Sequence, residues 1–408
     1  MFSTSPASKT MAVSPKIVET LEPCVVLMKE IIQEYSHLWK DREVFSLAQG
    51  VVHWEPPTSA IQAMQASLAD IAGSQVHTYG PDEGLAKLRY ALEEKIAGEN
   101  GLDNHQVMVT VGANQAYSNC VLTFLGDNQK AVVFAPYYFN HVMALQMTIG
   151  DSNILVGQSN GDGIPDLDWL EEQLKTNESI QMVTLVNPGN PTGVTLSKDV
   201  LQKAVDLCAR YKCWLVLDCT YEYFVYEDKH FCFPDPHVIH IFSFSKSYSL
   251  AGLRCGYLTI HKDAPGNAFR QMGKVQDTIP ICATRLSQIA ALGAMEAGKG
   301  FVIDQIETLK VGKEAILNAL QPLQIMGGTG AMYVMAKLPD DKQDDEAFSR
   351  SLVEKYGLAI IPGTYCGFPG WIRVCYANLP PEKCLEAADR LRDGIKDLLF
   401  SGKEYNTR

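Results

Sequence analysis

Residues 179–218 read SIQMVTLVNPGNPTGVTLSKDVLQKAVDLCARYKCWLVLD, and their internal order decides the fold. SIQMVTLV (179–186) and CWLVLD (213–218) are dense in β-branched and apolar residues, too continuous to leave one face polar. Between them SKDVLQKAVDLCARY (197–211) repeats apolar residues at helical spacing, with Ser197 placed as its N-cap. A buried strand, a helix and a second buried strand imply a mostly parallel sheet covered on both faces.

The same alternation runs outward in both directions. VMVTV before Gly112, AVVFA (131–135) and HVIHIFSF (237–244) are further strand-like runs, and NQAYSNCVLTFL (114–125) is a helical one. The tail reads differently. A helical stretch over about 300–321 leads to AMYVMAKL, a helix near 345–356, LAIIP, WIRVCYA and a last helix from about 381. The expected organisation is an arm at 1–14, a segment at 15–55 packing with a small α+β domain at 301–408, and a large domain at 56–300.

Composition sets limits. Of 408 residues, 46% are hydrophobic and 20% charged, a globular balance. A net charge of −12 argues against a nucleic-acid or anionic-membrane partner. The 11 cysteines are odd in number and lack a C-x-x-C pair, so they read as reduced thiols in a cytoplasmic protein, with no metal site expected. No H-E-x-x-H occurs, and His237 and His240 fall in a strand run, where they read as structural. MFSTSPASKTMAVSP has neither an apolar signal core nor arginine; it reads as a disordered arm, with Met11 a possible second start.

Ligands of open α/β sheets bind beyond the carboxyl ends of the strands. Five such ends carry unusual residues. Gly112-Ala113-Asn114 opens a helix, which makes an anion cradle of backbone N–H groups. Pro136-Tyr137-Tyr138-Phe139 offers aromatic faces. Asn187-Pro188-Gly189-Asn190-Pro191-Thr192-Gly193 is a rigid turn able to hold the Asn190 amide. Asp218 ends a buried strand, where a carboxylate is costly unless paired with a cation; Tyr221 follows it. Lys246 comes last, flanked by Ser243 and Ser245, with Arg254 close by. An anion cradle, a flat apolar face, a carboxylate and an amine together suit pyridoxal 5'-phosphate.

The chain after its arm resembles the class I/II, fold-type I aminotransferases, and within them the plant aromatic aminotransferases, through SLAQGVVHWEPP, YGPDEGL, NPGNPTG, TYEYF and FSFSKSY. The resemblance implies a seven-stranded, mostly parallel sheet and a small domain. It implies that Lys246 holds the cofactor covalently and moves a proton, Asp218 pairs with the pyridine nitrogen, and Asn190 and Tyr221 bond its phenolic oxygen. Arg254, Ser243, Ser245, Gly112, Ala113 and Asn114 would take the phosphate, and Tyr138 would stack on the ring where many relatives carry tryptophan. Tyr79 would reach the phosphate of a neighbouring subunit, making a homodimer. Arg373 and Gly50 would meet the substrate carboxylate. Val51, Val52, His53 and Trp54 would line the side-chain pocket, whose apolar character suits a large uncharged side chain. No clear second arginine serves a distal carboxylate, though Lys274 could substitute. The expected activity moves an amino group from an aromatic amino acid or methionine to a 2-oxo acid. The alternatives are a carbon–sulfur β-lyase or aminocyclopropane-carboxylate-synthase-like lyase, and a non-catalytic regulator.

Overall fold

The structure, a computed structural model, describes residues 12–227 and 229–400. Most of the expected arm, Met11 included, lies outside the described residues. Among the described residues thirteen strands form three sheets. They are β1 (Phe45–Ser46), β2 (His105–Thr110), β3 (Lys130–Ala135), β4 (Ile154–Gln158), β5 (Ile180–Val186), β6 (Trp214–Asp218), β7 (Val238–Ser243), β8 (Gly256–His261), β9 (Gln324–Gly327), β10 (Tyr333–Lys337), β11 (Leu358–Ala359), β12 (Ile361–Pro362) and β13 (Trp371–Cys375).

The large sheet has seven strands in the order β2-β8-β7-β6-β5-β3-β4. The pairs from β7 to β4 are parallel, while β8 runs antiparallel to both its neighbours. The 179–218 stretch forms the expected unit: β5, a helix Lys198–Arg210 whose first turn is capped by Ser197 Oγ accepting from Val200 N, and β6. Successive side chains of a strand point to opposite faces. Leu215 and Leu217 therefore enter one buried cluster and Val216 the other, so both faces of the sheet are covered. Each such side chain contributes roughly 1.5–3 kcal/mol on burial.

The reversal of β8 matters for the site. Its first residue, Gly256, pairs with Thr110 at the end of β2 and with Ser243 at the end of β7. The chain entering β8, Arg254 included, thus lies at the same edge as the carboxyl ends of β2, β5, β6 and β7.

A second sheet, β12-β13-β10-β9, is antiparallel. The N-terminal segment joins it through short links: β1 pairs with β11, and Leu47 O accepts from Cys375 N at 2.9 Å. Helix Cys24–Tyr35 packs Met28 and Ile31 into a cluster with Val353, Ala359 and Ile361. The stretch expected as one helix over 300–321 is two, Gly298–Glu307 and Leu309–Ala319, parted at Thr308. The Thr308 hydroxyl donates to Gln305 O at 2.6 Å, competing with the backbone for an acceptor of the preceding turn.

Candidate active site

One pocket of about 270 Å³ opens where the carboxyl edge of the large sheet meets β10 and β13. Gly50, Val51, Ala113, Asn114, Tyr138, Asn190, Asp218, Tyr221, Ser243, Ser245, Lys246, Arg254 and Arg373 all line it. They come from eight separate places in the chain, most of them at strand ends that share one edge of the large sheet. Val25, Phe139 and Tyr333 line it as well.

Asp218 sits at the floor, buried. Its Oδ1 accepts from Thr220 N at 3.0 Å and its Oδ2 lies 3.1 Å from His141 Nε2. Burial by itself raises the pKa of this carboxyl, but the bonds from His141 and Thr220 outweigh it and hold the group below its ordinary value. His141 stands on helix Phe139–Ile149 and is fixed in turn by Tyr117. The two rings stack at 4.0 Å, and Tyr117 hydroxyl meets Thr184 Oγ1 at 3.0 Å. Within the chain the side chain that meets this carboxylate is the His141 imidazole, and among the described residues no lysine or arginine pairs with it.

Lys246 donates from Nζ to the carbonyl of Gly50. Its pKa is lowered to about 8, first by burial and further by Arg254 and Arg373. Gly50 itself must be glycine: a Cβ there would run into the Tyr333 hydroxyl. Tyr333 hydroxyl in turn lies 2.8 Å from that of Tyr221.

At one end of the pocket Arg254 lies against Gly112, the first residue of helix Gly112–Phe124. Gly112 has φ +77°, and any Cβ would strike the guanidinium, so two separate demands exclude a side chain. That helix has no acid in its first turn, and among the described residues no carboxylate pairs with Arg254. A guanidinium facing the positive end of a helix is repelled unless an anion lies between them. Ser243 and Ser245 complete the cup, with Ser243 Oγ accepting from Ser245 N at 3.1 Å.

At the other end Arg373 is 2% exposed. Its Nη1 donates to Asn190 Oδ1 at 3.0 Å, its Nη2 to Ala48 O at 2.5 Å, and its guanidinium lies 4.6 Å from the Tyr333 ring centroid. Its Nε has no hydrogen-bond partner, and no carboxylate pairs with it among the described residues. A buried cation so placed calls for an anion from outside the chain.

Some anticipated residues lie elsewhere. Trp54 does not line the pocket; its indole is buried and stacks on Phe224 at 6.2 Å, and its carbonyl accepts from Ser249 Oγ at 2.6 Å. His53 turns away to meet Thr308 Oγ1 at 3.1 Å. Lys274 bonds Gln271 on the surface. Tyr79 is 77% exposed and reaches nothing in this pocket. His141 and Tyr333 went unnoticed in the sequence, because each gains its meaning only from a partner about 80 or 110 positions away in the chain.

The fold and the site define an aminotransferase. The chain belongs to the family described as aminotransferase class I and II, whose model matches residues 42–391. That family depends on pyridoxal phosphate, and the residues here fit such a cofactor: an amine and a carboxylate in one pocket, with an unpaired cationic cup at one end. The chain is 43% identical, over 88% of its length and 91% of the relative's, to the aromatic aminotransferase ISS1 of Arabidopsis thaliana. It is 27% identical to the aspartate aminotransferase of Thermotoga maritima, over 77% of this chain and 82% of that one. Among solved structures, the Thermotoga maritima aspartate aminotransferase superposes with a TM-score of 0.84 at 24% identity, covering 94% of this chain and all of that one. The aromatic aminotransferase of Pyrococcus horikoshii gives 0.80 at 24%, covering 90% and 99%. At that identity the structural likeness speaks for the fold.

Proposed function

We propose that this aminotransferase moves the amino group of an aromatic amino acid, or of methionine, to a 2-oxo acid such as phenylpyruvate or indolepyruvate. The observation that carries the substrate reading is the inventory of charge in the pocket. Its charged side chains among the described residues are Asp218, Lys246, Arg254 and Arg373. With Arg254 given to the phosphate and Arg373 to the α-carboxylate, this chain offers no further cation for a second carboxylate, while Val25, Val51 and Phe139 present apolar surface. The Arabidopsis relative's name supports the same choice.

Pyridoxal phosphate, when bound, supplies an aldehyde for the amine and a ring that accepts the electron pair left on the substrate Cα. Lys246 would hold it, and its amine when neutral would take the proton from the substrate Cα and return it; a pKa of about 8 suits both acts near neutral pH. Asp218, kept ionised by His141 and Thr220, would hold the pyridine nitrogen protonated. Tyr221 and the Asn190 amide would donate to the phenolic oxygen. Arg373 fixes the α-carboxylate and so orients the Cα–H bond. Gly112, Ala113, Asn114, Ser243, Ser245 and Arg254 would receive the phosphate, and Tyr138 would cover the ring.

The exposed Tyr79 belongs to a second chain's phosphate in this reading, so the active unit is a homodimer in the cytoplasm. No described helix is long and apolar enough to cross a membrane. A donor-by-acceptor panel tests the function: phenylalanine, tyrosine, tryptophan, methionine, aspartate and glutamate against phenylpyruvate, indolepyruvate and 2-oxoglutarate. Turnover with aspartate or glutamate above that with every aromatic donor and methionine would reject the substrate assignment.

A further inference from the structure

Just past the end of β6, three side chains converge that the reaction does not use. Cys219 follows Asp218 directly. His230 and Cys232 come from the chain between β6 and β7, which in this part is neither helix nor strand. One ligand atom from each lies within 4.8 Å of the other two. Both thiols are free. His230 Nδ1 faces Cys232 Sγ at 3.8 Å, and its Nε2 is buried with no hydrogen-bond partner among the described residues.

A buried ring nitrogen left unsatisfied costs free energy, which its surroundings must repay some other way. Two thiols and an imidazole form the nitrogen–sulfur donor set favoured by soft or borderline cations, and disfavoured by magnesium and calcium. Bonds of about 2.0–2.3 Å at tetrahedral angles put neighbouring ligand atoms roughly 3.4–3.8 Å apart. His230 Nδ1 and Cys232 Sγ already stand near that spacing, so ligation asks the set to close by at most about an ångström, which an irregular segment can supply. The nearby carboxylate is not available as a fourth ligand, since Glu222 already holds Lys95 at 2.5 Å and Asn100 at 3.2 Å. His230 instead lines a cleft of about 790 Å³ with Tyr223, Lys229 and Glu222, which gives the ion a route in and room for water.

We infer that Cys219, His230 and Cys232 bind one zinc-type divalent cation per chain, with the fourth position open to the cleft. Binding releases the two thiol protons to solvent and needs no oxidant. The absence of a C-x-x-C spacing hid this set in the sequence, because the fold and not the spacing brings Cys219 to the other two.

The holoenzyme, kept in a phosphine reductant and stripped with a chelator, is titrated with Zn²⁺ against a chromophoric competitor and with Cd²⁺ while the ultraviolet cadmium–thiolate band is followed. One equivalent per chain is expected, together with a higher melting temperature. Cys232→Ser and His230→Ala, both away from the buried strand end, should each weaken binding by about tenfold or more, and Cys232→Ser should diminish the thiolate band. Cys282→Ser, a partly buried thiol elsewhere, should change neither. The absence of saturable binding at one equivalent overturns the site. So does binding that both Cys232→Ser and His230→Ala leave intact, or thiol loss through disulfide formation without metal uptake. Cofactor absorbance and circular dichroism of each variant confirm that the fold is kept.

Discussion

His141 Nε2 lies 3.1 Å from Asp218 Oδ2, and that bond sets the charge at the floor of the pocket. Removing it as His141→Ala leaves burial less opposed, so the Asp218 carboxyl pKa rises. Because this pKa is depressed in the folded protein, its stabilising contribution is present above the unfolded value and lost as pH falls through the folded one. The variant should therefore lose activity at a higher pH on the acid side than the parent, with kcat falling more than KM rises. Identical acid limbs in pH–rate profiles would remove His141 from this role.

Lys246 has the opposite sign from a paired lysine. Its folded pKa of about 8 lies below the unfolded value of about 10.4, so between those values the unfolded chain binds more protons. Stability of the cofactor-free protein from this group should rise with pH across that window. In the same preparation the rate of reconstitution with pyridoxal phosphate should climb to a plateau above about pH 8, as the neutral amine accumulates. A rate still climbing steeply at pH 10 would show an unperturbed lysine. Lys246→Ala should cost on the order of 10²–10⁴ in turnover with little loss of fold.

Arg373 tests the carboxylate end. Two of its donors reach Asn190 and Ala48, and among the described residues no carboxylate balances its charge. Arg373→Lys keeps the charge but loses the fork. The loss of hydrogen bonds to a charged group, about 1.5–3 kcal/mol, corresponds to roughly 10–150-fold in kcat/KM. Unchanged kinetics in steady-state assays would make the guanidinium structural.

Gly112→Ala probes the other end. The left-handed backbone and the guanidinium of Arg254 both resist a methyl group. Cofactor affinity should fall while KM for the amino acid, measured at saturating cofactor, changes little. Equal cofactor affinity by equilibrium dialysis would argue that the cup holds no phosphate.

Much of this was legible in the sequence because the fold places function where patterns are readable. Lys246 and Asn190 follow buried strands and Asp218 ends one, so finding the strands finds the residues. What escaped depends on lateral contacts. His141 sits inside a helix and looks like a core histidine until Asp218 is set beside it. Trp54 follows Gly50 closely enough to suggest the pocket, yet its ring gains more by burying itself on Phe224. The break at Thr308 leaves the apolar periodicity nearly intact, so composition alone shows one helix where there are two.

The most direct measurement is a single turnover: holoenzyme mixed with phenylalanine and no 2-oxo acid acceptor, with products quantified. One equivalent of phenylpyruvate per active site, no ammonia, and product formation slowed on the order of 10²–10⁴-fold in Lys246→Ala is the predicted result. No phenylpyruvate, or ammonia released in continuing turnover, would contradict amino transfer from an aromatic donor.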